Sequence, residues 1–415
     1  MLRVNIYELL PKSSIHFILN KADMRRRMMD IPVSSDVVVI GAGPAGARTA
    51  ERLASMGYQT LLLEREKMIG EPVHCTGVVS TECFERYELP EELILRKINS
   101  FVLRSPSGRA VQIKRKQTQA YVLDRVELDQ ELVNRAVGSG VSLYTEMDVR
   151  DVSWENGKAQ ISCKIGSKEY QIQSKIAVVA TGYGSPLSRK LGLSQFDSYV
   201  SGSQAIVDAK GIDEVEVFTG SSLGKGGFGW IVPWRENKAL VGLLTREHTV
   251  SYMHALINKL QDQGRIGSIL KTYRTRAIPV GIPRKSVIDG ILAVGDIVSQ
   301  AKPTSGGGIH YGMMAADLAS TTINDALIQG DFSAQALMPY QEQWHAILEH
   351  ELNQGVKLRE LIEQMPDIVI EQLHRLLSIP GAKRLLSSST FDWHSSSLTR
   401  VLEKLQFRRR NFSND

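Results

Sequence analysis

The residues whose types and spacing could do chemistry lie first in the segment 36–64. Asp36-Val-Val-Val-Ile-Gly-Ala-Gly-Pro-Ala-Gly46 is an apolar run closing on spaced glycines. After a stretch of helical composition, Leu61-Leu-Leu-Glu64 ends a second apolar run in an acid. That order predicts a buried strand, a tight turn, a helix and a second buried strand. Gly41 permits the turn, Gly43 lets backbone approach a pyrophosphate, and Gly46 lets helix and strand pack closely. A pyrophosphate there meets free N–H groups at a helix N-terminus, where the helix dipole favours negative charge. Glu64 stands where an acid accepts hydrogen bonds from adenosine ribose hydroxyls. A glycine triplet alone is weak evidence, but in this strand–turn–helix–strand–acid order it predicts a dinucleotide site.

Later segments ask for more than a nicotinamide cofactor. Ile176-Ala-Val-Val-Ala-Thr-Gly182 is a buried strand closing on Ala-Thr-Gly, and Gly290-Ile-Leu-Ala-Val-Gly-Asp296 is a strand ending in Gly-Asp. Lys302-Pro-Thr-Ser-Gly-Gly-Gly-Ile-His-Tyr-Gly312 follows, then an Ala/Met-rich helix from Met313 to Leu318. These stretches resemble FAD proteins of the glutathione-reductase and hydroxybenzoate-hydroxylase type. In that type, the late Gly-Asp sets a carboxylate on the ribityl hydroxyls. The glycine turn aims a helix N-terminus at the pyrimidine edge of the flavin, where a positive helix end stabilises the charge of the reduced ring. Tyr121-Val-Leu-Asp-Arg125 is similar to the Asp-Arg motif of the hydroxylase type, whose arginine approaches the cofactor early in a long helix, here expected through Leu128 to Ala136. Singly, Gly295-Asp296 also reads as a strand-to-turn connection, and Arg125 as a solvated helix residue. In the family's order, behind the first-strand fingerprint, they imply FAD.

Four stretches narrow the resemblance to the geranylgeranyl reductase family of flavoproteins, in particular its archaeal-lipid branch. They are Gly41–Gly46, Gly70-Glu-Pro-Val-His-Cys-Thr-Gly-Val78, Phe228-Gly-Trp-Ile-Val-Pro233, and Gly295-Asp296 with Lys302–Gly312. The resemblance covers roughly residues 35–330. It implies an α/β fold: a Rossmann-like FAD-binding domain interrupted by an antiparallel β-sheet substrate domain, with C-terminal helices. It also implies saturation of double bonds in the geranylgeranyl chains of isoprenoid membrane lipids by hydride from reduced flavin. The FAD contacts it implies are Gly41, Gly43, Ala45, Gly46, Glu64, Cys75, Thr76, Gly77, Val78, Arg125, Val149, Asp296, Gly307, Gly308 and Ile309.

For the prenyl chain the resemblance implies an apolar tunnel, with Phe218, Phe228, Trp230, Pro233 and Trp234 as candidate walls; ordinary sheet core is the competing reading of those residues. Two candidates for catalysis stand out. Cys75 is a proton donor, a tuner of the flavin, or simply a small loop residue against the ring; His310 is an acid or a helix-start residue, and His74 is equally open. The aromatic stretch departs from the family pattern, with Phe228 for Tyr and Val232-Pro233 for Phe-Pro, which removes a hydroxyl near the headgroup or flavin. The alternative on the same fold is an FAD-dependent monooxygenase or halogenase, whose Trp-x-Trp-x-Ile-Pro stretch residues 228–233 imperfectly echo. The Cys75 loop and the Lys302-Pro-Thr-Ser-Gly run favour the reductase.

No second Gly-x-Gly-x-x-Gly directly follows a strand, so electrons are expected from a soluble donor that docks transiently: NAD(P)H, a ferredoxin or another. Cys75, Cys83 and Cys163 make neither a disulfide framework nor zinc or iron–sulfur spacing, so no metal is expected, and the four-cysteine cluster of quinone-linked carriers is excluded. In 415 residues the hydrophobic share is 42% and the charged share 23%, which is globular composition with room for two or three domains. The net charge of +5 is concentrated at Arg25–Arg27, Lys114–Lys116 and Arg408–Arg410, too scattered for a nucleic-acid surface. Leu398, Val401, Leu402, Leu405 and Phe407 form an apolar stripe beside Arg400, Lys404 and Arg408–Arg410, fit for an anionic membrane surface or for docking on the protein's own core. With no signal-peptide core and no long apolar run, the protein is expected in the cytoplasm, peripheral at the membrane, where a prenylated lipid would be met.

The expected organisation is an N-terminal extension over 1–34, an FAD domain built from 35–92, 120–194 and 285–325, a substrate sheet from 93–119 and 196–284, and a helical region over 326–415.

Overall fold

The computed structural model describes residues 31–193, 196, 198–272, 274–379, 391–395 and 399. The basic stripe of 398–410 and most of the N-terminal extension lie outside these residues. In chain order the first third holds β1 (Ser34–Ile40), α1 (Pro44–Ser55), β2 (Thr60–Leu63), β3 (Val78–Ser80), α2 (Thr81–Arg86), β4 (Ile94–Ile98), β5 (Ser100–Arg104), β6 (Ala110–Lys114), β7 (Ala120–Leu123) and α3 (Arg125–Gly138). The middle holds β8 (Ser142–Tyr144), β9 (Asp148–Glu155), β10 (Lys158–Ile165), β11 (Lys168–Val179), α4 (Pro186–Lys190), β12 (Ser198–Asp208), β13 (Val215–Thr219), β14 (Phe228–Pro233) and β15 (Lys238–Thr245). Then come α5 (Thr249–Asp262), β16 (Ile269–Thr272), β17 (Arg276–Val280), β18 (Val287–Ile288), β19 (Ile291–Ala293), α6 (Ile309–Gln329), α7 (Ala334–Glu363) and α8 (Asp367–Leu377).

One sheet runs β18-β19-β11-β1-β2-β8, parallel from β19 to β8. Its centre is covered on both faces, which is why β1 reads as an unbroken apolar run with Val37, Val38 and Val39 fully buried. Strand β11 serves twice. Its first half pairs antiparallel with β10, and its second half, from Ile176, lies between β1 and β19. The β9–β10 hairpin turns at Asn156-Gly157, both with positive φ (52° and 74°), as an Asn-Gly two-residue turn requires.

The second large sheet has the order β16-β12-β15-β14-β13-β5-β6, with β17 also on β12. It is antiparallel except where β13 meets β5, a parallel pairing of segments more than a hundred residues apart (Val215 opposite Phe101). A small third sheet, β3-β7-β4, joins the two: Val78 and Val122 pack against Ile206, Val232 and Leu240 of the large sheet.

The strand-rich reading of 195–284 overlooks α5. Its Met253, Leu256, Ile257 and Leu260 fall on one helical face and cover one side of the second sheet, over Ala205, Val207, Ile231, Val241 and Leu243. Phe218 belongs to that layer, with the Arg265 guanidinium 5.9 Å from its ring centroid. This corrects its reading as a tunnel wall, because strand alternation sends it to the face opposite Phe228 and Trp230. On the face of the first sheet that carries Val37 and Val39, α6 packs on α1 and α7 packs on α6.

Candidate functional site

The turn after β1 is built without room for side chains. Gly41 has φ +104°, and a Cβ on Gly46 would come within 1.9 Å of the Gly41 carbonyl oxygen. Nothing caps α1 from a side chain at Gly43, so its first N–H groups face outward free. Ala45 closes the turn from the other side, its β-carbon 3.3 Å from a Cβ built on Gly312. At the end of β2 the Glu64 carboxylate accepts from the Ala42 N–H and the Glu66 N–H, each at 2.8 Å, which fixes it beside the glycine turn with lone pairs left for ribose hydroxyls. Val149, at the head of β9, packs with the layer of Met147 and Val152, a neighbour of this end through the sheet.

The other end of the groove is made by three separate segments. The loop 70–77 enters β3 with no space for side chains at Gly77, where a Cβ would stand 2.3 Å from the Leu123 carbonyl oxygen and 3.1 Å from Cγ of Arg125. Arg125, the first residue of α3, is capped by Asp124 and donates from Nη2 to both oxygens of Asp129 at 2.8 Å. Burial works against its charge, but the Asp129 carboxylate and the neighbouring Cys75 sulfur outweigh this and hold it firmly protonated. Its Nε is buried without a partner. Cys75 is half-buried, its sulfur accepting from the Gly77 N–H at 3.4 Å, and the Thr76 hydroxyl donates to Gln204 of β12 at 2.8 Å. Val78 faces the second sheet beside Trp230.

Asp296 follows Gly295 at the end of the β19 segment. Burial raises its carboxyl to about 6, with Arg125 opposing. A Cβ on Gly308 would lie 2.4 Å from Oδ1 of Asp296, so only glycine lets the start of α6 approach this acid. Gly308 caps α6 with no side-chain bond, leaving the N–H groups at Ile309 open. Gly307 lies next to the Lys302 side chain. A cradle that any Cβ would fill, an orphaned guanidinium N–H, a half-buried acid with no bonded partner and two uncapped helix starts fit FAD, which the turn beside Glu64 and the turn at Gly308 would hold.

Beside this groove lies the face of the second sheet that turns away from α5. Phe228 and Trp230 pack there with centroids 5.5 Å apart and planes tilted by 43°, with Leu244 and Ile278 as neighbours. Trp230 occupies the place of a side chain at Gly242, whose Cβ would be 2.2 Å from the indole, and its Nε1 is buried with no partner. Ile278 reaches the glycine turn, with Cδ1 2.6 Å from a Cβ built on Gly306. Trp234 lies further along with the Arg235 guanidinium over it at 5.1 Å, and Pro233 alternates onto the face of Ile231 and α5, away from this wall. Trp230 thus lies beside Val78, the residue that follows the Cys75 loop, with Phe228 next to it, and Phe218 and Pro233 lie on the other side of the sheet.

His310 is a second correction. It points away from the groove, into a buried cluster closed by residues 391–395. Its Nδ1 is 2.8 Å from Oδ2 of Asp392, the Tyr311 hydroxyl donates to the Asp392 carbonyl at 2.7 Å, and Lys302 donates from Nζ to the same carboxylate. Burial would raise the Asp392 carboxyl, but His310 and Lys302 together hold it well below the usual carboxylate range. Glu82, His310 and Asp392 bring ligand-type atoms within 4.8 Å, yet the Lys302 ammonium already supplies the cation there. Nothing in the sequence near Asp392 signals this role; the separation of 82 residues from His310 hides it.

A family model described as pyridine nucleotide-disulphide oxidoreductase matches residues 35–217. Digeranylgeranylglycerophospholipid reductase 2 of Methanothermobacter thermautotrophicus is 30% identical over 380 residues, covering 89% of this chain and 96% of that one. The chain belongs to the digeranylgeranylglycerophospholipid reductase family. Another family member, the reductase of Methanocaldococcus jannaschii, is 28% identical over 82% of this chain and 90% of its own. Among solved structures, a geranylgeranyl bacteriochlorophyll reductase-like protein of Thermoplasma acidophilum superposes with a TM-score of 0.78 at 20% identity, over 86% of this chain and 97% of that one. A variant of halogenase PltM in complex with FAD gives 0.66 at 14% identity, over 91% and 92%. The reductase family therefore shares its fold with flavin halogenases, and FAD is the cofactor the groove is shaped for.

Proposed function

We propose that this protein saturates the double bonds of geranylgeranyl chains in isoprenoid lipids. The observation that carries the reading is the juxtaposition of an apolar wall, Phe228, Trp230, Leu244 and Ile278, with Val78 at the end of the Cys75 loop and with the glycine turn at Gly306. FAD, when bound and reduced, would supply hydride for one alkene carbon, and a proton would be needed at the other. The chain's own residues position and exclude. An isolated alkene develops no oxyanion, so an array of polar donors would have nothing to stabilise, and an aromatic wall that keeps water out serves it better. The free N–H groups at Ile309 and the guanidinium of Arg125 would offer positive charge to the anionic reduced ring. Cys75, next to Arg125, is the candidate proton donor; the buried histidine at 310 is not, since Asp392 holds it away from the groove.

The division of labour that goes with this is an FAD domain from 35–92, 120–194 and 285–325, a substrate domain from 93–119 and 196–284, and helices beyond 326. The donor is a soluble reductant, and the lipid is met at the membrane surface; no helix among the described residues is long and apolar enough to cross a membrane. The test is product mass from a geranylgeranylated glycerophospholipid, with and without oxygen. Gain of two hydrogens per alkene in both atmospheres supports the reductase. Product that forms only with oxygen, or only with oxygen and halide, sinks it in favour of the monooxygenase or halogenase chemistry of the shared fold.

A further inference from the structure

The apolar wall ends in a group of cations that the flavin site does not use. Strand β17 pairs with β12 so that Arg276 stands opposite Gly202 and Ile278 opposite Val200. Alternation therefore puts Arg276 on the same face as Ile278, toward the groove. Its Nη2 is 2.8 Å from Nε2 of His74, one residue before Cys75. A guanidinium only donates, so Nε2 is the acceptor, the ring proton sits on Nδ1, and that N–H is buried with no partner. Burial first, then the charges of Arg276 and Arg125, hold the His74 imidazole down to about 4, so it stays neutral and leaves the positive field of the arginines intact.

Arg276 itself is held below its ordinary value, by burial first and then by the cations of Arg65 and Arg274, with Glu66 opposing. Among the described residues no carboxylate lies within ion-pair distance of Arg276 or Arg274, whereas Glu66 is engaged by Arg65 at 2.9 Å. A half-buried guanidinium with other cations close by, and with its nearest carboxylate Glu66 already engaged by Arg65, carries an electrostatic cost for which the described residues show no structural return. An oxyanion relieves it, because a planar fork and a nearby N–H match two or three oxygens of one tetrahedral group.

We propose that Arg276, with Arg274, Arg65 and the Nδ1–H of His74, binds the phosphate group of a ligand whose remainder extends along the apolar wall toward the flavin. The ligand class is a phosphate ester with a hydrophobic or planar body. Two sources share that chemistry, the headgroup of a phospholipid substrate and the phosphates of a nicotinamide dinucleotide donor. The first source rests on the lipid reading above; the second does not.

The test uses the FAD-loaded full chain with Arg276→Gln and Arg274→Gln. With dithionite as reductant, a geranylgeranyl diether of glycerophosphate is compared with the same diether glycerol lacking phosphate. If the headgroup is the ligand, Arg276→Gln raises KM for the phosphorylated lipid about tenfold or more, leaves kcat within about twofold, and leaves the phosphate-free lipid unaffected. If the donor is the ligand, both lipids behave as in the unmodified protein, and the rate of flavin reduction by NADPH falls about tenfold or more instead. Equal behaviour of both variants in both arms overturns the site. Loss of flavin from Arg276→Gln also overturns it, since the anion would then be the cofactor's own. Should the unmodified protein reduce neither lipid, the substrate reading fails by itself. Calorimetric binding of inorganic pyrophosphate, present in the unmodified protein and lost in Arg276→Gln, would still uphold the site, and unchanged binding would refute it.

Discussion

Asp296 carries an electrostatic cost in the folded protein. Its carboxyl is raised to about 6 by burial against an ordinary value of 3.8, so the folded apoprotein holds a proton that the unfolded chain has released between about pH 4 and 6. Stability of the apoprotein therefore falls as pH rises through that window. Asp296→Asn removes the effect: the variant apoprotein should melt higher than the parent above pH 6 and similarly below pH 4, while FAD affinity drops about 10–100-fold with the lost charged acceptor. Thermal melts at pH 4 and 8, with flavin titration, check both halves. Asp296 was legible in the sequence because its place is set by a short local pattern, Gly-Asp after an apolar strand, as Glu64 and the glycines of 41–46 are. Asp392 and Arg276 were not legible. Each matters through a partner about 80 or 200 residues away, His310 and His74, and a single acid or arginine has no period or spacing to reveal that.

At the scale of elements, the segment 391–395 acts as a strap across the start of α6. Lys302 and Asp392 are nearly wholly buried, and the pair flanks the turn that brings Gly308 to Asp296. Asp392→Asn leaves the Lys302 charge without its counter-ion and should cost about 3–5 kcal/mol, read as a lowered Tm. Because the Asp392 carboxyl is held below its ordinary range, its contribution is present above about pH 4 and lost as pH falls further. The parent should therefore lose Tm on acidification below pH 4 more steeply than the variant does. Strands β14 and β15 make a second element-scale prediction. A methyl at Gly242 meets the Trp230 ring at 2.2 Å, so Gly242→Ala should tilt the indole out of the wall and lower kcat/KM about tenfold or more, with flavin content unchanged. Helix α5 was missed although its apolar residues at 253, 256, 257 and 260 follow a helical period. The strand-like runs on either side of it masked that signal, and the face assigned to Phe218 was lost with it.

The whole molecule places two sheets of different logic against each other. The parallel sheet carries the glycine turns and acids that would hold FAD, and short motifs encode them. The antiparallel sheet offers a surface, and its two faces differ only in the parity of the strand positions. Parity is invisible until the covering helix is known, which is why the aromatic residues could be nominated but not sorted. The parallel pairing of β5 with β13 belongs to the same class, a contact set by the topology of the assembled chain. The central claim is that the wall of Phe228 and Trp230 holds an alkene against the reduced flavin. The most direct measurement is an anaerobic single turnover. The FAD-loaded protein is reduced with one equivalent of dithionite and mixed with a geranylgeranylated glycerophospholipid, while flavin absorbance and lipid mass are followed together. One oxidised flavin should be regained for every two hydrogens gained by the lipid, and Gly242→Ala should slow both. Flavin that stays reduced beside the unmodified lipid until oxygen is admitted would contradict the claim.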